Sequence, residues 1–272
     1  MGAASPGLRP VPYHQEIITS RGNAWLRQLR QAAGRGTTTA DGFALAESPH
    51  LLQEAIRSEV QIQRVFASER VHESVDATIP PHRRVPLHPV ADQLFQDVAT
   101  TTRNQGVLAL VKLRNWDAAT VLAGLTIVLD GVQDPGNAGT IARTAEAFGA
   151  SGIVFLKGSA SPTNPKALRA SAGSLFRVPF LHKLEAEEFL ALAQQHGKTL
   201  LAAATGQGLA LGEADLSANS AVVIGSETHG VSPLLLAAAQ AVAIPTQSVE
   251  SLNAAIAAAI VLYESARRAQ RP

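Results

Sequence analysis

The chain is 272 residues long and 46% hydrophobic, enough for a packed core in one large domain or two modest ones. Charged residues at 17%, aromatics at 4% and a net charge of +1 exclude a disordered or low-complexity chain. A cysteine count of zero excludes disulfides, thiolate metal sites and cysteine nucleophiles.

No apolar run reaches the ~18 uninterrupted residues of a membrane span. Met1 to Glu16 lack the apolar segment of a secretory signal. The expectation is a soluble, cytoplasmic protein with a loose tail over residues 1–15. In "ITSRGNAWLRQLRQAAGRG", small polar residues precede Trp25, Leu26 and Leu29 at helical spacing, and glycines end the pattern. A short strand over Phe43 to Ala46 follows, then a helix with Leu51, Leu52, Ala55 and Ile56 on one face. "IQRVFAS" and "RRVPLHPV" read as strands, "DQLFQDV" as a helix, and Val107 to Leu113 as a last strand. This small α/β unit is placed at 16–114, and the polar stretch at 115–121 reads as a linker.

Charge divides at the same point. Up to Arg114 there are 13 Lys+Arg against 10 Asp+Glu; beyond it, 10 against 12. Arg9, Arg21, Arg27, Arg30 and Arg35 face Glu16 alone between positions 9 and 35. Such a stripe suits either a phosphate-facing surface or a solvated helix face.

From Leu125 the grammar is more regular, through the unit placed at 122–272. "LTIVLD", "GIVFL", "TLLAAA" and "AVVIG" are near-continuous β-rich runs, with "VAIP" shorter. Helical patterns over Thr140 to Phe148, Pro165 to Ser174, Ala186 to His196, Pro233 to Ala241 and Leu252 to Arg268 separate most of them. Buried runs alternating with helices predict a parallel sheet covered on both faces. Ligands on such sheets bind beyond the carboxyl ends of strands, which selects three loops.

In "LDGVQDPGNAGTIARTAEAFGA", Asn137 stands where a helix N-cap is expected, with Arg143 within the first two turns, suited to a phosphate or carboxylate. In "AVVIGSETHGVSP", Gly225 would let a backbone approach a ligand and Glu227 puts an acid at the sheet mouth. His229 has no second ligand at metal spacing, so no metal site is expected. In "VAIPTQSVESLNAAIAAAIVLYE", Pro245 stops a strand, and Ser251 and Asn253 flank Leu252 at a helix mouth rich in free N–H groups.

Together these loops closely resemble, in order and spacing, the three signature motifs of the SpoU (TrmH-type) family of RNA 2′-O-ribose methyltransferases. The region from Ile18 to Leu113 resembles the ribosomal-protein-L30-like substrate-binding domain that many members carry. Glu47-Ser48 stands where members often have Glu-Gly, and Asn104-Gln105-Gly106 replaces a Pro-Gln-Gly turn. Thr228 and Thr246 also depart from the family's Gly and Met.

The resemblance implies an N-terminal L30-like α/β domain and a parallel-sheet α/β SPOUT domain with a C-terminal trefoil knot, acting as a homodimer. It implies S-adenosylmethionine as cofactor, held around Gly225, Ile244 and Leu252 with Thr205 on the adenosine side. Asn137, Arg143, Glu227, Ser251 and Asn253 match the family's functional polar residues. Arg21, Asn23, Arg27, Arg30 and Arg35 become RNA-binding candidates. The implied function is ribose 2′-O-methylation of large-subunit (23S) ribosomal RNA. Transfer RNA, an antibiotic-resistance methyltransferase, or a non-catalytic RNA-binding assembly factor stay open as alternatives. Arg143 is expected to grip a phosphate rather than act as base, because a guanidinium with a pKa above ~12 is a poor proton acceptor.

Overall fold

A computed structural model describes residues 16–83, 85–204, 208–249 and 251–269. The N-terminal tail and Thr205 lie outside the described residues. The first unit contains α1 (Ala24–Arg35), β1 (Ala44–Glu47), α2 (Pro49–Arg57), β2 (Gln61–Ser68), α3 (His72–Asp76), β3 (Leu87–Val90), α4 (Asp92–Gln96) and β4 (Val107–Lys112). Its sheet runs β1-β4-β2-β3, antiparallel except for the parallel β2–β3 pair. Asn23 caps α1 by accepting from the Trp25 amide (2.9 Å), and Gly36 ends it in the left-handed region at φ 60°. The face of α1 bearing Leu26, Leu29 and Ala32 is buried on Phe66, Leu108 and Leu110.

The predicted linker is not structureless. Asp117 accepts from the Thr120 amide (2.7 Å) and caps the short helix α5 (Ala118–Val121). Beyond it come β5 (Thr126–Asp130), α6 (Pro135–Ala147), β6 (Gly152–Leu156), α7 (Pro165–Ala170), β7 (Phe180–Leu184) and α8 (Ala186–Gln195). The chain then forms β8 (Thr199–Ala204), β9 (Leu209–Ala210), β10 (Ser220–Gly225), α9 (Pro233–Ala238), β11 (Gln240–Ala243) and α10 (Ala254–Ala269). The sheet is wholly parallel, in the order β7-β6-β5-β10-β8-β11-β9. Alternate residues serve its two faces: Ile127, Leu129, Val222 and Ile224 pack with α6, α7 and α10, and Val128, Val154 and Val223 with α5, α8 and α9.

Helix boundaries depart from the periodicity at α7, which ends at Ala170 rather than Ser174, and at α6 and α9. Helix α6 begins at Pro135 because Asp134, not Asn137, is its cap, with Oδ1 accepting from the Asn137 amide (2.9 Å). Helix α9 ends at Ala238, and the alanine-rich residues after it pair with β8 as β11, sheet pairing overriding helix propensity.

The two units are not independent. Ala44, Ala46, Leu51, Leu52 and Ala55 of the first unit belong to the same continuous core as Leu125, Ile127, Ile141, Leu168 and Phe176 of the second. A cut at residue 114 would expose that seam. The expected division between an RNA-choosing and a methyl-transferring domain is therefore best tested in the full chain.

Candidate active site

Strands β5 and β10 end side by side, with Asp130 paired to Gly225. Strand β11 ends beside β8, with Ala243 paired to Ala204, so Ile244 leaves the sheet at the same edge. All three selected loops thus start from one row of strand ends, as a parallel sheet requires.

The loop after β10 closes on itself. Ser226 and Gly230 exchange main-chain hydrogen bonds of 3.0 and 2.9 Å, and Ser226 Oγ accepts from the His229 amide (3.0 Å). Asp130 Oδ2 accepts from the Ser232 amide (2.6 Å) and ties the loop's far end to β5. Gly225 is required by this closure: a Cβ there would lie 2.1 Å from Gly230 C and 2.2 Å from Val231 N. Close approach of the chain to itself is thus a second reason for a glycine here, beside the expected approach to a ligand. Glu227 is left exposed at the loop tip.

Because Asp134 supplies the cap, the Asn137 side chain is free to reach across the edge. Asn253 caps α10, its Oδ1 accepting from the amides of Ala255 (3.0 Å) and Ile256 (3.3 Å). That fixes the amide so that Asn253 Nδ2 donates to Asn137 Oδ1 (3.2 Å), and Asn137 Nδ2 in turn donates to Glu227 Oε1. A directed chain therefore runs from the N-terminal N–H groups of α10 through two carboxamides to one carboxylate. The positive end of the α10 dipole favours this polarity.

Lys166 Nζ donates to Asp134 Oδ2 (2.6 Å). This bond, followed by those from the Asn137 and Gly136 amides, holds the Asp134 carboxyl below the usual carboxylate range. The sequence reading missed Asp134 and Lys166 as organisers of the loop; an Asp directly before a Pro at the first helical position is the signal for the former.

Arg143 and Ser251 stand apart from this chain. Both are exposed, and neither side chain has a hydrogen-bond or ion-pair partner among the described residues. In the third loop, Thr246 Oγ1 donates to the Val249 carbonyl (2.8 Å). Ile244 and Leu252 are half-buried at the sheet edge, and their main-chain groups make no hydrogen bond among the described residues. Half-buried apolar side chains beside free main-chain donors and acceptors fit a flat heteroaromatic ring with polar edges. Among the described residues no cluster of His, Asp or Glu could hold a metal ion, and no helix is long and apolar enough to cross a membrane.

The basic stripe is narrower than the sequence suggested. Arg27 and Arg35 are exposed, without ion pairs among the described residues. Arg21 pairs with Asp97 (3.2 Å), Arg30 donates to the Arg21 carbonyl, and Asn23 is engaged as the α1 cap. Those three thus also hold contacts within the first unit, the Arg21 side chain staying 74% exposed.

Comparisons with known proteins cover both units of the chain. Residues 124–263 match the model of the SpoU rRNA Methylase family, and residues 23–109 that of the MRM3-like substrate binding domain. An uncharacterized tRNA/rRNA methyltransferase of Synechocystis sp. is 34% identical, over 96% of this chain and 97% of its own. A 23S rRNA (guanosine(2553)-2′-O)-methyltransferase of Bacillus subtilis is 27% identical, over 90% of this chain and 97% of its own. The crystal structure of an AdoMet-bound rRNA methyltransferase from Sinorhizobium meliloti superposes with a TM-score of 0.81 at 26% identity, covering 94% of this chain and 99% of the other. The extent of the family match and the full-length relative together show that this chain belongs to the SpoU rRNA methylase family.

Proposed function

We propose that this protein transfers the methyl group of S-adenosylmethionine to a ribose 2′-hydroxyl of 23S ribosomal RNA. Family membership makes the chain an S-adenosylmethionine-dependent RNA methyltransferase. The finer reading rests on one observation, the Asn253–Asn137–Glu227 chain that joins the three loops. It also draws support from the B. subtilis relative, whose name carries the 23S rRNA guanosine 2′-O activity.

The cofactor supplies a sulfonium-bound methyl electrophile. The protein has to hold it, align a hydroxyl behind that methyl and exclude water. Main chain at Gly225, Ile244 and Leu252 is assigned to the cofactor, with Thr205 on the adenosine side. Glu227, held from one side by Asn137, keeps its second oxygen for the ribose. Arg143 grips a neighbouring phosphate through its fork of donors, and the hydroxyl proton leaves to phosphate or water. Ser251 completes the rim of the third loop.

Residues 16–114 form the RNA-gripping unit, with Arg27 and Arg35 among its exposed cations without ion pairs among the described residues, and residues 122–272 the methyltransferase unit. Helix α10 leaves β11 on the far side of β8 from β5 and returns to pack on α6. Ser265 and Arg268 donate to the carbonyls of Leu216 (2.9 Å), Leu211 (2.6 Å) and Ala214 (2.5 Å). These crossings support a trefoil knot in the C-terminal portion. A homodimer forms through α6 and α10. Phe148, Ile256 and Tyr263 are exposed there, Phe148 and Tyr263 meeting edge-on at 5.9 Å between ring centroids. The RNA substrate places the protein in the cytoplasm.

The test is transfer of labelled methyl from S-adenosylmethionine to 23S rRNA, followed by alkaline hydrolysis. Alkali cleaves through a free 2′-hydroxyl, so label in an alkali-stable dinucleotide is expected. Label in mononucleotides would show base methylation instead, and no transfer would favour a non-catalytic RNA-binding role.

A further inference from the structure

Besides the shared apolar core, a single guanidinium ties helix α6, which carries Asn137 and Arg143, to the first unit by polar contacts. Arg177 Nε and Nη2 donate to the two oxygens of Glu146 on α6 (2.5 and 3.0 Å). Arg177 Nη1 donates to Glu54 Oε2 on α2 (2.7 Å) and to Ser58 Oγ (2.9 Å). Glu54 is only 6% exposed. The backbone beside it is fitted to the contact: Gly173 sits at φ 94°, and a Cβ there would lie 2.7 Å from Glu54 Cβ.

A second buried carboxylate lies along the same seam. Glu47, 2% exposed, accepts from the Thr100 amide (2.8 Å) and Thr101 Oγ1 (2.6 Å), and Arg169 of α7 approaches it at 3.4 Å. Buried carboxylates lose hydration and hold a cationic partner strongly. Without Arg177, Glu54 would keep Arg57 (2.5 Å) as its counter-ion and Glu146 would have none among the described residues.

We propose that Arg177 is a positioning residue for the methyl transfer, setting the angle between the RNA-gripping unit and α6 so that docked RNA delivers its ribose to Asn137. The proposal rests on the RNA methyltransferase reading above. A lysine would retain the charge but not the fork that spans two carboxylates and a hydroxyl.

The experiment uses the full chain. Arg177→Met should leave S-adenosylmethionine affinity within about two-fold and RNA KM within about three-fold, while kcat falls about 30-fold through misalignment. In the triple variant Glu54→Gln, Glu146→Gln, Arg177→Met, removal of the two carboxylate charges should restore thermal stability but not kcat. Recovery of kcat together with stability would overturn the proposal, as would an unchanged kcat in Arg177→Met. If the wild type methylates no RNA, the parent reading fails, and the joint is judged by distance alone. With Cys 0 in the native chain, spin labels at Arg70→Cys and Glu187→Cys report the inter-unit distance. Broadening of that distance in Arg177→Met supports the joint, and an unchanged narrow distribution overturns it.

Discussion

Arg143→Ala is expected to lower kcat/KM for RNA methylation about 100- to 1,000-fold, roughly 3–4 kcal/mol of lost transition-state stabilisation. Stability should stay within about 0.5 kcal/mol, because an exposed side chain without a partner among the described residues leaves nothing orphaned when removed. The contrast with Arg177 is informative. Arg143 stands three residues before Glu146 on α6, but Glu146 is engaged by Arg177, which leaves the Arg143 guanidinium for an external anion. Arg143→Lys should recover part of the activity, since it keeps the charge and loses bidentate geometry. Turnover unchanged at saturating RNA in Arg143→Ala would eliminate both an anchoring and a proton-accepting role.

Gly225→Ala is expected to destabilise the protein by about 3 kcal/mol and to weaken S-adenosylmethionine binding more than ten-fold. The added Cβ would meet Gly230 C, Val231 N and Gly230 O at 2.1, 2.2 and 2.3 Å, all main-chain atoms with no rotamer to yield. Relief requires opening either the Ser226–Gly230 closure or the end of β10 beside Asp130. Gly212→Ala is the control. Nothing lies within 4 Å of a Cβ at Gly212, and its effect should stay within about 0.5 kcal/mol. Urea unfolding and calorimetric titration measure both quantities; equal behaviour of the two variants would contradict the account.

Much of the fold was legible because strands buried on both faces leave long apolar runs. β5, β6, β8 and β10 all lie where such runs stand, and the three loops selected follow β5, β10 and the shorter β11. β7 was not legible. It is an edge strand with a mixed burial pattern, and its hydrogen bonds come from one neighbour only. β9 spans two residues and carries no pattern of its own.

At the site, residue types were readable but partnerships were not. Asn137 looked like a cap because Asn favours caps, and only the structure assigns that task to Asp134 and shows what the freed carboxamide does. Asn23 is the reverse case: counted among RNA-binding candidates, it is occupied in capping α1. The joint at Arg177 links residues 123 positions apart, a separation at which composition and periodicity carry no information. The shared core across the two units was hidden for the same reason. Each unit looks complete along the chain, and only packing shows the seam.

The central claim is that Asn137 and Glu227, 90 positions apart in sequence, act as one unit. A double-mutant cycle with Asn137→Ala and Glu227→Ala, read as kcat/KM for methyl transfer, tests it directly. If each single variant loses about 100-fold, the double variant should fall no more than about three-fold below the worse single. Losses that multiply, to about 10,000-fold, would contradict a shared site.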